Sequence, residues 1–249
     1  MKKIILLGIT FFFVSCKNET QEIIQYDKQG KIVSKAYMNN DEESLDSILY
    51  FNDGMMNSKM VFSKENKLSF YTKFYNEHGL ESEGNTIYKI KDGKWKYYDS
   101  KNRLRKIVEY KNICNEEYAN QEFNYDEKGK LLANKSTYYT YEFKTSKLES
   151  NKENELTINY VPFLKKGSNS FLVISREFDS TFCNIRTVKK DSASFFANQT
   201  FKVGVTFEKK GKNNFRGYIL EYSYESTSDK NVLKTRERKT FINIPVVIE

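Results

Sequence analysis

The stretch "KWKYYDSKNRLRKIVEY", Lys94 to Tyr110, holds the side chains best suited to recognition. Trp95 and Tyr97 alternate there with Lys94 and Lys96, Tyr98 follows, and an alternating apolar and basic stretch comes after the polar run. Flat rings offer stacking faces, and cations sit favourably over them. Trp95 and Tyr97 are therefore the candidate binding residues, provided they are exposed. Little else suits catalysis. His78 is the single histidine, too few for a triad or a His-based metal site. It falls in an expected turn and reads as a surface residue. The acidic stretch "NNDEESLD", 39–46, lacks the alternating Asp spacing and bidentate Glu of a calcium loop. The glycines are spread at turn spacing rather than gathered in a phosphate loop. A glycosidase-type hydrolase needs only two carboxylates about 5–10 Å apart. With 33 Asp and Glu in the chain, an acid pair is the alternative to a non-enzymatic role. No catalytic residue, metal ligand or cofactor is assigned.

The three cysteines divide by position. Cys16 follows Lys2-Lys3, the apolar run Ile4 to Val14, and Ser15. A charged start, a short apolar run and a small residue form a secretory signal. The run is too short for a bilayer, which needs about 20 residues. "FVSC" resembles a bacterial lipobox, with Phe13 where Leu is usual. That resemblance implies lipid attachment at Cys16, and acyl chains add about 0.8 kcal/mol per buried methylene. Residues 1–15 are then a signal peptide and 16–22 a tether. Lys17 and Glu19 resemble the surface-export signal of Bacteroidota lipoproteins. The implied place is the outer membrane, cell surface or periplasm, and nucleic acid is not an expected partner. Export permits a disulfide between Cys114 and Cys183. Two buried free thiols are the expectation instead, because a disulfide needs Cα atoms within about 7 Å.

The formal net charge of +8 is uneven. Residues 1–15 carry +2, residues 16–150 are balanced, and residues 151–249 carry +6. The excess gathers in "TVKKD", "EKKGKNN" and "KTRERK". Such runs at strand ends are expected to be solvated; the alternative is contact with phosphate or acidic glycan.

The elements that position these residues are strands. The chain has 18 Tyr, 19 Phe and only two Pro, and no long segment keeps a helical period. A repeat runs through the first half: "YDKQGKI", "YFNDGMM", "YNEHGLE", "YDSKNRL" and "YDEKGKL" begin at Tyr26, Tyr50, Tyr75, Tyr98 and Tyr125. Four copies place Asp or Asn right after the tyrosine, where its side chain can accept from the backbone two residues on. Gly or Asn follows three positions later, where a hairpin loop needs φ > 0. Asp53-Gly54 suggests a tighter turn. Asp92-Gly93 suggests a further hairpin turn between two copies. The expected product is an antiparallel meander whose units need their neighbours.

"EGNTIYKIKDGKWKYYDSKNRLRKIVEYKN" resembles the bacterial MORN-variant repeat, a family often labelled an antitoxin component. The matching residues are Gly84, Gly93, Trp95, Tyr97, Tyr98, Leu104 and Tyr110, with Asn102 in place of the pattern's last glycine. The resemblance is recognisable over 26–139. It implies architecture and a general interaction role and names no substrate. The antitoxin label does not suit an exported lipoprotein.

From about Leu156 the repeat stops. "LTINYVPFL", "SFLVISREF", "CNIRTV", "ASFFANQTFKVGVTFE", "RGYILEYSYE" and "TFINIPVVI" read as strands of a small β-sandwich. Pro245 marks an edge strand or bulge. The expected organisation is all-β: about five hairpin repeats over 23–150, a boundary near 151–155, and a sandwich-like domain over 151–249. The function it suggests is a membrane-anchored, non-enzymatic scaffold with a protein or glycan partner.

Overall fold

The computed structural model describes residues 21–39, 44–63, 68–164, 168–194, 199–226 and 233–249. The signal segment 1–15, Cys16, most of the tether 16–22 and part of the acidic stretch 39–46 lie outside them. The described chain is nearly all β. Nine strands come first: β1 Gln21–Tyr26, β2 Ile32–Asn39, β3 Ser44–Asn52, β4 Met55–Phe62, β5 Ser69–Asn76, β6 Gly79–Ile87, β7 Ile90–Tyr98, β8 Leu104–Ile113 and β9 Glu116–Asn124. They form one antiparallel sheet in chain order.

The turns follow from their side chains. Asp27, Asp99 and Asp126 each accept from the backbone N–H groups two and four residues on, at 2.8–3.0 Å. Gly30, Asn102 and Gly129 close these loops at φ 81°, 57° and 79°. Asp53 and Gly54 both have positive φ, the two-residue turn expected. The expected turn at Asp92-Gly93 is corrected: Tyr88 and Lys89, at φ 51° and 69°, make it instead. Gly93 lies inside β7 at φ 67°, where the β6–β7 register shifts around Gly84. An Asp-Gly pair suits any site of positive φ, and here it serves a bulge.

The fifth repeat turns but does not extend the sheet. Its outgoing side makes an isolated Tyr125–Leu131 bridge and a 3-10 turn, Ala133–Lys135. The next strand, β10 Tyr138–Phe143, pairs with β11 Glu153–Val161. The change of sheet therefore precedes residues 151–155. The remaining strands are β12 Asn169–Ile174, β13 Asp191–Ser194, β14 Thr200–Thr206, β15 Gly211–Ser226 and β16 Leu233–Ile248. They complete a three-stranded sheet, β10-β11-β14, and a four-stranded sheet, β13-β12-β15-β16. Leu156, Ile158 and Phe201 of the first pack with Leu172, Ile219 and Ile242 of the second in one core, all fully buried. Alternation along each strand supplies these inward residues. Pro245 sits on the edge strand β16, opposite Asn214.

"CNIRTV" is a second correction, because residues 183–188 are turns rather than strand. The Asp179 carboxylate accepts from the N–H groups of Thr181, Cys183 and Asn184 and from the Thr181 hydroxyl. Such local bonds give the backbone an alternative to a ladder.

The nine-stranded sheet abuts the sandwich at its β9 end. The fully buried Asn120 accepts from the Phe241 N–H at 2.6 Å and donates to the Phe241 carbonyl at 2.9 Å. One amide thus completes a peptide group on the open edge of β16. Arg238 donates to the Ala119 and Asn120 carbonyls, and the Tyr118 hydroxyl donates to the Lys239 carbonyl. The Cys114–Cys183 disulfide joins the same parts, with Cα atoms 4.7 Å apart. This corrects the expected pair of buried thiols: both cysteines are exposed and bonded. Cys114 and Asn115 form the β8–β9 turn, and the Cys114 N–H donates to the Thr181 carbonyl at 3.0 Å. Tertiary docking across 69 residues, invisible in local pattern, brings the sulfurs together.

Candidate interaction surface

Cross-strand rows show what each face of the repeat sheet presents. One row runs Gln25, Ser34, Tyr50, Ser58, Phe74, Ser82, Tyr97, Lys106, Asn124. From β2 to β7 it alternates serine with an aromatic ring. Ser34, Ser58 and Ser82 are buried although, among the described residues, no second sheet layer pairs with this one, because wide rings flank narrow residues. Tyr50 and Phe74 are 38% and 39% exposed, so part of the ring surface faces outward.

Trp95 lies on this face and is fully buried. A Cβ on Gly84 would stand 2.6 Å from the indole, so glycine is required where the ring crosses β6. The Trp95 Nε1–H donates to the Asn85 carbonyl at 2.7 Å. Phe74 stacks at 6.0 Å and Tyr110 meets the indole edge-on at 6.5 Å. Trp95 is thus the sheet's miniature core, with no ring face free for a ligand.

Tyr97 is half-buried and also engaged. Its hydroxyl lies 2.7 Å from that of Tyr110, and the Lys91 ammonium donates to it at 3.1 Å. Lys91 also stands 4.9, 5.6 and 5.0 Å from the Trp95, Tyr97 and Tyr110 ring centres. Lys106 lies 5.3 Å from the Tyr97 ring. Burial pushes the Tyr97 and Tyr110 phenols above their ordinary range. The aromatic–cation chemistry is real, but the chain's own lysines occupy it.

The opposite face carries a row that single motifs do not reveal: Ile24, Lys35, Leu49, Lys59, Lys73, Glu83, Lys96, Ile107, Phe123. Glu83 is its buried hub. Tyr98 donates to it at 2.6 Å, and the Lys73 and Lys96 ammonium groups lie 3.3 and 3.9 Å away. Burial raises the Glu83 pKa, but bonds from Tyr98, Tyr71 and Lys73 outweigh it and leave the group below its usual value. Tyr71 is pushed up to about 12, first by burial and then by its bond to Glu83. Lys35 pairs with Glu22 at 3.1 Å. Lys59 faces Lys73 directly and makes no ion pair among the described residues. The missed signal was the repeat period itself. Lys35, Lys59 and Glu83 are 24 residues apart, and Lys73 and Lys96 are 23 apart.

The sandwich contributes less. Its cleft, about 350 Å³, is lined by Asp191, Phe207, Glu208, Phe215 and Arg216 among others. The exposed Glu208 at its mouth is paired with Arg176. The fully buried Glu221 accepts from Tyr160, Phe163, Leu164 and Ser168, so its two oxygens hold the β11–β12 connection. Of the basic runs, "EKKGKNN" spans the β14–β15 connection, which crosses from one sheet to the other, and the start of β15, while "KTRERK" lies on β16. In the latter, Arg238 is spent on the junction and stacks 4.3 Å from the Phe163 ring centre. His78 sits exposed in the β5–β6 turn beside Glu77. Among the described residues, no three His, Cys, Asp or Glu side chains gather as metal ligands, and no helix is long and apolar enough to cross a membrane.

The chain matches no known protein-family model and no curated protein. Among solved structures it shows a likeness to the "Crystal Structure of TarM", with 15% identity and a TM-score of 0.26 over 46% of this chain. The match spans 18% of that chain, and a likeness this slight carries no argument about fold or function.

Proposed function

We propose that this chain is a lipid-anchored protein of the cell envelope, whose MORN-variant-like repeat sheet is a non-enzymatic scaffold for a protein or glycan partner. One observation carries the reading. A nine-stranded sheet with no second layer among the described residues presents long side chains on both faces, and its β9 end is fixed to the sandwich. The Cys114–Cys183 disulfide suits an oxidising, exported compartment. The signal-like residues 1–16 suit attachment at Cys16. The antitoxin label of the family is not carried over.

Affinity capture of the full chain after crosslinking in intact envelopes tests the scaffold role. A reproducible partner, lost in the double variant Tyr50→Ser, Phe74→Ser or in a variant of the opposite face, supports it. Partner capture indifferent to both faces overturns it. Fractionation of Cys16→Ala tests the anchor separately: it should leave the membrane fraction, and retention there rejects lipid attachment.

A further inference from the structure

We infer that the lysine row of the repeat sheet is a binding surface for a linear acidic polysaccharide lying across the strands. This deepens the scaffold reading and rests on it. Lys35, Lys59, Lys73 and Lys96 lie on one cross-strand row from β2 to β7. Glu22 and Glu83 are the carboxylates that pair with them, so four positive charges meet two negative ones. The surplus is not spread over the sheet. It centres on Lys59, which makes no ion pair among the described residues and opposes Lys73 directly, while Lys73 and Lys96 share Glu83. Like charges in that relation are destabilising. An anion between them would relieve the repulsion.

Spacing selects the form of the ligand. Neighbouring strands lie about 4.8 Å apart, so equivalent residues of successive hairpins recur about every 10 Å. Lys35 and Lys59 are one such pair, and Lys73 and Lys96 another. A polymer with acidic groups at one- or two-strand intervals matches the row along its length. Tyr71 and Tyr98, both bonded to Glu83, flank it with ring surface of the kind that packs on sugar. A membrane surface fits less well. Leu49 sits between Lys35 and Lys59, Ile24 and Ile107 flank the lysines at either end, and all three are partly buried.

The test is binding of the full chain, in detergent, to polygalacturonate, to neutral dextran and to phosphatidylglycerol vesicles. Polygalacturonate should bind in a salt-sensitive manner and dextran should not. Lys59→Gln with Lys73→Gln should weaken polygalacturonate binding about tenfold. Lys106→Gln, on the opposite face, should leave it unchanged. Circular dichroism should show both variants folded. Equal binding by the double variant, equal loss in Lys106→Gln, or binding to vesicles alone overturns the inference. If polygalacturonate binding is absent or unchanged in the lysine double variant while envelope-partner capture persists, the scaffold reading survives and the polysaccharide assignment falls.

Discussion

The two halves of this molecule bury side chains by different means. The sandwich closes two sheets over aliphatic and aromatic residues such as Leu156, Phe201 and Ile242. The repeat sheet lays Tyr50, Phe74 and Tyr97 beside Ser34, Ser58 and Ser82 and gathers one tryptophan over one glycine. Two layers reward apolar volume. One layer rewards contrast in width along a row. Hence a serine at a buried position marks order in the first half, while an aliphatic residue marks it in the second.

Substitutions should separate these modes. Among the largest effects is one in the sandwich core: Ile242→Ala should lose about 2–5 kcal/mol in urea unfolding, from lost transfer and an unfilled cavity. In the repeat sheet Trp95→Ala should cost about 3–5 kcal/mol if the indole is the sheet's true core, measured the same way. A loss under about 1 kcal/mol would mean that a one-layer sheet does not depend on any single side chain. Gly84→Ala should lose stability as well, while Gly30→Val, where an added Cβ meets nothing, should suffer only from its left-handed backbone. Removing the link between the halves by Cys114→Ser should cost about 2–4 kcal/mol, since the bond closes a loop of 69 residues. Two unfolding transitions in that variant would show that the disulfide makes the halves cooperate.

The smallest effect concerns a turn. Backbone N–H groups and Arg103 hold the Asp99 carboxyl down to about 2. A depressed folded value means its contribution is present above the unfolded pKa of about 4 and is lost as pH falls through about 2. NMR titration should find Asp99 still ionised near pH 3. An ordinary value there would remove the turn's carboxylate from the account.

The repeat was legible because turn chemistry is local. Asp27, Asp99 and Asp126 act within four residues of themselves, and their loops form as their spacing implies. The strands β11 and β16 were legible from their apolar runs for a similar reason. The turn at Tyr88-Lys89 was not, since neither residue favours positive φ and a better pair stood nearby at Asp92-Gly93. The Asn120–Phe241 bond and the disulfide were hidden by distance along the chain. Trp95 and Tyr97 stand out in the sequence by residue type. Their exposure was not readable, because Lys91, Tyr110 and Gly84 reach them only through register.

The regular period makes the repeat sheet a ruler. Each added unit of 24 residues supplies two strands, keeps every row in phase and returns the chain to the same side. Its reach then grows by about 10 Å per unit while the β9 junction needs no redesign. A variant duplicating one internal hairpin would lengthen the lysine row without altering the sandwich, and a shorter relative would shorten it. Length, not chemistry, would then be the variable this architecture adjusts most freely.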